Sequence, residues 1–193
     1  MNYLAHCYLS CSDEDLTVGN FITDFLSGSE GEKYSDEIQK GIELHRLIDS
    51  YTDAHPISKL LRAKLRARHG KYASVAVDLV WDFFLCYNWD KFNAISKREF
   101  ADRNYAILWK NRQHLPAGLS SNIQHMIDDD FLLAYDGIER ARRSLGWMDK
   151  RTKFPSNFVE LIKDIEENEE EFSQLFQEFF PDIISKVEGF CAL

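Results

Sequence analysis

The stretch that most restricts what this chain can become is residues 75–85, Val-Ala-Val-Asp-Leu-Val-Trp-Asp-Phe-Phe-Leu. Its two carboxylates, Asp78 and Asp82, are four apart, and every other residue is apolar. That spacing puts both on one face of a helix. A helix apolar on its remaining faces belongs in an interior. There an ionised carboxylate needs a paired cation, several hydrogen bonds or a metal. Two readings are open: an arginine such as Arg46 neutralises the acids, or a divalent ion is held where facing helices converge their ligands.

A second helical pattern offers partners for such a site. Residues 41–56 read Gly-Ile-Glu-Leu-His-Arg-Leu-Ile-Asp-Ser-Tyr-Thr-Asp-Ala-His-Pro, in which His45 and Asp49 stack one turn apart. Pro56 disfavours helical backbone at His55, so the helix is expected to end near Thr52, with Asp53 or His55 capping the next one. Asp53 is kept as a secondary ligand candidate. Asp24, flanked by Phe21, Ile22, Phe25 and Leu26, repeats the anomaly of an acid in apolar company. His6 lies among Tyr3, Leu4, Cys7 and Tyr8, where a histidine is by default a hydrogen-bonded core residue.

The rest of the chain predicts an all-α, single-domain helical bundle spanning residues 1–193. Only 4 Pro and 9 Gly punctuate it, whereas 14 Phe supply packing material. Helices are expected over residues 2–10, 56–69, 72–89, 96–113, 119–129 and 131–145. A long acidic one is expected over 156–180, ended by Pro181. The amino terminus lacks the basic region of a secretory signal, and no uncharged run approaches bilayer length. The four cysteines (Cys7, Cys11, Cys86, Cys191) show no C-x-x-C pair. Cys7 and Cys11, four apart, could suggest a soft metal, but two neighbouring thiols favour a structural role. That predicts reduced thiols and a cytoplasmic protein.

Charge is uneven. A net −9 argues against a nucleic-acid partner. Yet residues 54–77 contain no acid and carry Lys59, Arg62, Lys64, Arg66, Arg68 and Lys71. That is either a solvated helix face or a local surface for an anionic partner.

Four motifs in order resemble the acyl carrier protein phosphodiesterases: Met-Asn-Tyr-Leu-Ala-His6, Gly19-Asn-Phe-Ile-Thr-Asp24-Phe, Gly41-Ile-x-x-His45-Arg46-x-Ile-Asp49-x-x-Thr-Asp53, and Asp78-x-x-Trp-Asp82-x-Phe-Leu-x-x-x-Trp89. The likeness is specific over about the first 90 residues and weaker beyond. It implies a Mn²⁺-dependent hydrolase (Mg²⁺ being possible), a divergent relative of the HD phosphohydrolases, that removes 4′-phosphopantetheine from holo-acyl carrier protein. No adjacent His-Asp pair is present, so His45 and Asp49 stand in for that signature. Phe83 falls where a histidine is expected in some relatives.

On this reading Asp24, His45, Asp49 and Asp78 are metal ligands, and Asp82 completes the site or accepts a proton. His6 protonates the leaving oxygen or ligates, and Arg46 contacts the phosphate. Lys59, Arg62, Arg66 and Arg68 receive the acidic carrier protein. A phosphohydrolase for a nucleotide or other small phosphodiester, and a non-enzymatic helical module with arginine-paired acids, are the alternatives.

Overall fold

The buried helix at the centre is α5 (Ala73–Tyr87), whose residues from Leu79 to Cys86 are all buried. This computed structural model describes residues 1–192. The preceding elements are α1 (Tyr3–Tyr8), α2 (Glu14–Ile22), α3 (Asp36–Ala54) and α4 (Pro56–His69). After α5 come α6 (Trp89–Phe92), α7 (Lys97–Lys110), α8 (Ala117–Ser120), α9 (Ile123–Asp128) and α10 (Ile138–Asp149). The chain closes with α11 (Leu161–Glu167) and α12 (Glu169–Cys191). Of these, α1, α4, α6, α11 and α12 pack directly against α5. No strand is present among the described residues, and none of their helices is long and apolar enough to cross a membrane.

Local chemistry sets the helix ends near the site. The Ser35 hydroxyl accepts from the Ile38 N–H to start α3, and the His55 ring accepts from Ile57 N–H to start α4, with Pro56 in its first turn. The crossing of α2 and α3 is unusually close. A Cβ on Gly41 would lie 2.7 Å from the Leu16 carbonyl oxygen, and one on Gly19 would lie 2.1 Å from that of Ile38. Only two glycines facing each other allow the backbones this near. The aromatic core sits on the other side of α5, where Trp81 stacks on Phe179 at 5.2 Å and donates its indole N–H to Ser58.

The carboxy-terminal half departs from the sequence reading. Instead of one helix over 156–180, a 3₁₀ turn (Phe158–Glu160) leads into α11, which breaks at Asn168. Helix α12 then runs straight through Pro181. Phe176, Phe179, Phe180, Ile183 and Val187 form one buried stripe across the proline. Burying five large side chains, at about 1.5–3 kcal/mol each, outweighs the roughly 3 kcal/mol a mid-helix proline costs. The expected helices at 119–129 and 131–145 are likewise shorter pieces, separated by left-handed backbone at Asp130 and Gly137.

Two further expectations change. Cys11 and Cys191 are joined as a disulfide, which overturns the reading of all four cysteines as reduced; Cys7 and Cys86 are free and buried. The basic face of α4 meets the acidic one of α11 and α12: Lys64 pairs with Glu171 at 2.8 Å, and Arg68 with Asp164. Two opposite charge runs nearly a hundred residues apart answer one another within the fold.

Candidate active site

The glycine crossing brings three helices together around Asn20, which is fully buried. Its side-chain NH₂ donates to the His6 carbonyl at 2.9 Å and to the Ser10 hydroxyl at 3.0 Å. Its Oδ1 is therefore the acceptor that faces His6 Nδ1 at 2.6 Å. Its backbone carbonyl lies 2.8 Å from His45 Nδ1. Both imidazoles must donate from Nδ1, so in the neutral rings the Nε2 lone pairs are the free ones. The two rings stack at 4.1 Å, nearly parallel, and present those atoms to the same space.

What they face is negative. His45 Nε2 is 3.1 Å from Asp49 Oδ2 and 3.3 Å from Asp24 Oδ1; His6 Nε2 is 3.3 Å from Asp49 Oδ1 and 3.1 Å from the Met1 carbonyl. Lone pairs turned toward carboxylates favour a positive charge in that shared space, a proton or a metal ion. Without metal the proton goes to His45: burial opposes it, but Asp24 and Asp49 raise its pKa to about 9. His6 is the opposite case, since burial lowers its pKa and keeps the ring neutral.

The carboxylates follow the same logic. Burial opposes ionisation at Asp49, yet His45, His6 and the Met1 amino group hold its carboxyl far below the usual range. At Asp24 burial is again overcome by His45, and the carboxyl is lowered. The α-amino group of Met1 sits 3.4 Å from Asp49 and 3.1 Å from Asp78. Its own pKa is lifted to about 10 by Asp78 and Asp49 against the effect of burial. Burial raises the Asp78 carboxyl despite that partner.

These placements sort the expected residues. His45 and Asp49 come together with His6, and one ligand atom from each lies within 4.8 Å of the others, so these three could hold a metal ion. Asp24 adjoins His45 from a half-exposed position (51%) on a 3₁₀ turn (Thr23–Phe25). Asp78 reaches the group through the Met1 amino group and is partly open to solvent rather than sealed off. Asp82 is the truly interior acid, 2% exposed, accepting the Asn2 N–H at 3.1 Å; burial raises its carboxyl to about 7.

No arginine pairs with any of the four acids among the described residues, which removes the neutralising role read for Arg46; that residue is exposed. Asp53 is not in the group. It is exposed and paired with Arg62 at 2.5 Å. Asn20 was missed by sequence reasoning, although it stands inside the Gly19-Asn-Phe-Ile-Thr-Asp24 motif.

Beside the group opens a cleft of about 870 Å³. Its lining includes Asn2, Tyr3 and Phe25, immediate neighbours of the acids, together with residues of α8, α9 and α10. None of Lys59, Arg62, Arg66 and Arg68 lines it.

Residues 1–183 match the family model for acyl carrier protein phosphodiesterase. The chain belongs to that family. By family it is therefore an acyl carrier protein phosphodiesterase, a phosphoric diester hydrolase. Relatives that carry the family's name extend over almost the whole chain. One from Photorhabdus laumondii is 28% identical over 190 residues, covering 98% of this chain and 96% of its own. One from Yersinia enterocolitica is 29% identical over 189 residues, covering 97% and 98%. An Escherichia coli relative is 34% identical over 91 residues, 47% of either chain. No solved structure matches the chain.

Proposed function

We propose that this acyl carrier protein phosphodiesterase cleaves the phosphodiester between 4′-phosphopantetheine and the serine of holo-acyl carrier protein, releasing the apo carrier, with Mn²⁺ as its ion and Mg²⁺ as a substitute. The observation that carries this reading is the pair of Nε2 lone pairs turned against Asp49 and Asp24 in a chain of this family. Two imidazoles and carboxylate oxygen make a donor set that suits Mn²⁺, and each ring's second nitrogen is already committed to Asn20.

When bound, a divalent ion supplies the acidity that makes water a nucleophile near neutral pH and the charge that offsets negative phosphoryl oxygens. The chain's own residues do the rest. His6, His45 and Asp49 are the ligands, oriented by Asn20. Asp24, ionised and half-exposed, accepts the proton of the attacking water or adds a further donor. Asp78 faces the same space and fixes the Met1 amino group. Asp82, with its carboxyl near 7, is the group able to lend a proton at neutral pH, and it is bonded to the N–H of Asn2, a residue of the cleft lining. His6, kept neutral by burial with its Nδ1 donating to Asn20, offers Nε2 as a lone pair and suits ligation better than protonation of the leaving serine oxygen.

The test is the intact mass of holo-acyl carrier protein incubated with the protein and Mn²⁺. Loss of the prosthetic arm is expected, and chelation should prevent it. A carrier whose mass stays constant, alongside brisk hydrolysis of a small diester, would overturn the assigned substrate.

A further inference from the structure

The basic helix α4 is the obvious place to receive an acidic partner, and the structure argues against it. Arg62 is engaged by Asp53, Lys64 by Glu171, and Arg68 by Asp164, so much of its charge is answered inside the molecule. It also contributes nothing to the cleft beside the acids.

A different cationic face does line that cleft. Helix α10 buries Ala141 and Leu145 and turns Arg140, Arg143, Ser144, Trp147 and Met148 toward the opening, with Arg151 one turn past Trp147, just beyond the helix end. The spacing 140, 143, 147, 151 is one stripe of a helix. Arg140 is tied to Asp130 at 2.7 Å, but Arg143 and Arg151 are exposed and pair with no acid among the described residues.

Arg151 lies 3.6 Å from the centre of the Trp147 ring, and Trp147 itself is 56% exposed. A large indole left in water beside unpaired guanidiniums has the composition of a binding hot spot, where tryptophan and arginine are enriched. Of the helix's two acids, Glu139 is exposed in the first turn, outside the cleft lining and paired with no arginine among the described residues. Asp149 is turned away: it accepts from the Phe158 and Val159 N–H groups at 2.7 and 3.0 Å. Asp129 is the acid that remains in the lining.

The cleft brings together the two kinds of surface this substrate would require. Its lining combines Asn2, Tyr3 and Phe25, next in sequence or by hydrogen bond to the acids, with the unpaired Arg143 and Arg151. We propose that the Arg143–Trp147–Arg151 face of α10, and not α4, docks the acidic carrier protein, with the prosthetic arm laid along the cleft toward Asn2 and Tyr3. This rests on the proposed carrier-protein activity, and it adds where the protein part of the substrate sits.

The test compares two double reversals, Arg143→Glu with Arg151→Glu and Lys59→Glu with Arg66→Glu, each first checked for native thermal unfolding. Binding of holo-acyl carrier protein to chelator-treated protein is measured by calorimetry at low and high salt, and KM with Mn²⁺. The α10 pair should weaken binding on the order of tenfold at low salt, with the gap narrowing as salt rises. The α4 pair should change it by less than about twofold. An α10 effect under twofold, or equal effects from both pairs, overturns the proposal.

Should the α10 double variant unfold, the neutral single variants Arg143→Gln and Arg151→Gln carry the same comparison with about a threefold effect each. A wild-type protein that binds the carrier through α10 but leaves its arm in place overturns the assigned reaction and leaves the docking surface standing. One that binds no carrier overturns the docking surface.

Discussion

Replacing Gly41 by alanine should damage the metal site without touching any side chain in it. The new Cβ would lie 2.7 Å from the Leu16 carbonyl oxygen, 2.9 Å from Gly19 Cα and 3.0 Å from Asn20 N. Ordinary contact begins near 3.4 Å, so α2 and α3 must part by about 0.7 Å. All three obstacles are backbone atoms that cannot rotate aside, which places the overpacking cost near the upper end of 1–3 kcal/mol. Alanine recovers about 1 kcal/mol of helix propensity. The net loss is about 2 kcal/mol, or roughly 4–8 °C in Tm for a chain of this size.

The larger consequence is geometric. Asn20 is among the displaced atoms, and its carbonyl is 2.8 Å from His45 Nδ1. Opening that distance to about 3.5 Å ends the hydrogen bond and frees the ring, a loss that typically weakens metal binding 10–100-fold. Thermal unfolding with and without Mn²⁺, together with a Mn²⁺ titration, reads both effects. Gly189→Ala is the control: it lies in α12 with nothing within 4 Å, and should raise Tm slightly. A Gly41→Ala protein with unchanged Tm and unchanged Mn²⁺ affinity would refute the reasoning.

The same site governs other outcomes. Asn20→Ala strips the partner from His6 Nδ1 and the donors from His6 O and Ser10 Oγ, and should cost about 3 kcal/mol together with tenfold or more in Mn²⁺ affinity. Chelator-treated protein should lose stability as pH rises from 6 to 9. His45, raised to about 9, and the Met1 amino group, raised to about 10, stabilise the fold fully only below their unfolded values. Asp82, raised to about 7, favours the fold only while protonated, so it adds to the fall up to about pH 7. Saturating Mn²⁺ should flatten this decline, and a Tm that climbs with pH in chelator would contradict it. Cys11→Ser opens a closure spanning 180 residues, for which chain entropy sets an upper bound of about 5 kcal/mol. A reductant should lower the wild-type Tm to that of the variant, and no response to reductant would show that the bond is not formed.

Local spacing carried much of the site. Asp78 and Asp82 stood out because their neighbours are apolar, and His45 and Asp49 because four residues make one helical turn. Both signals live within a single helix. What escaped depends on chain segments far apart in sequence. Asn20 acts on His6 and His45, 14 and 25 residues away, and nothing about an asparagine after a glycine announces that.

The charge on α4 looked free because its partners lie near the other end of the chain. Pro181 was read as a helix end because a local backbone penalty is visible in sequence, whereas the buried stripe that outweighs it is a tertiary fact. Asp78, expected to be sealed, is partly open, and its partner is the Met1 amino group rather than a side chain of a facing helix.

His6 and His45 together are expected to bind the ion through Nε2. Spin-echo spectroscopy of Mn²⁺ bound to the wild-type protein tests it without reference to turnover. Modulation from two imidazole nitrogens is expected, falling to one in His6→Ala and in His45→Ala. Mn²⁺ bound with no imidazole nitrogen, or with a spectrum the two substitutions leave unchanged, would show that these rings are not its ligands.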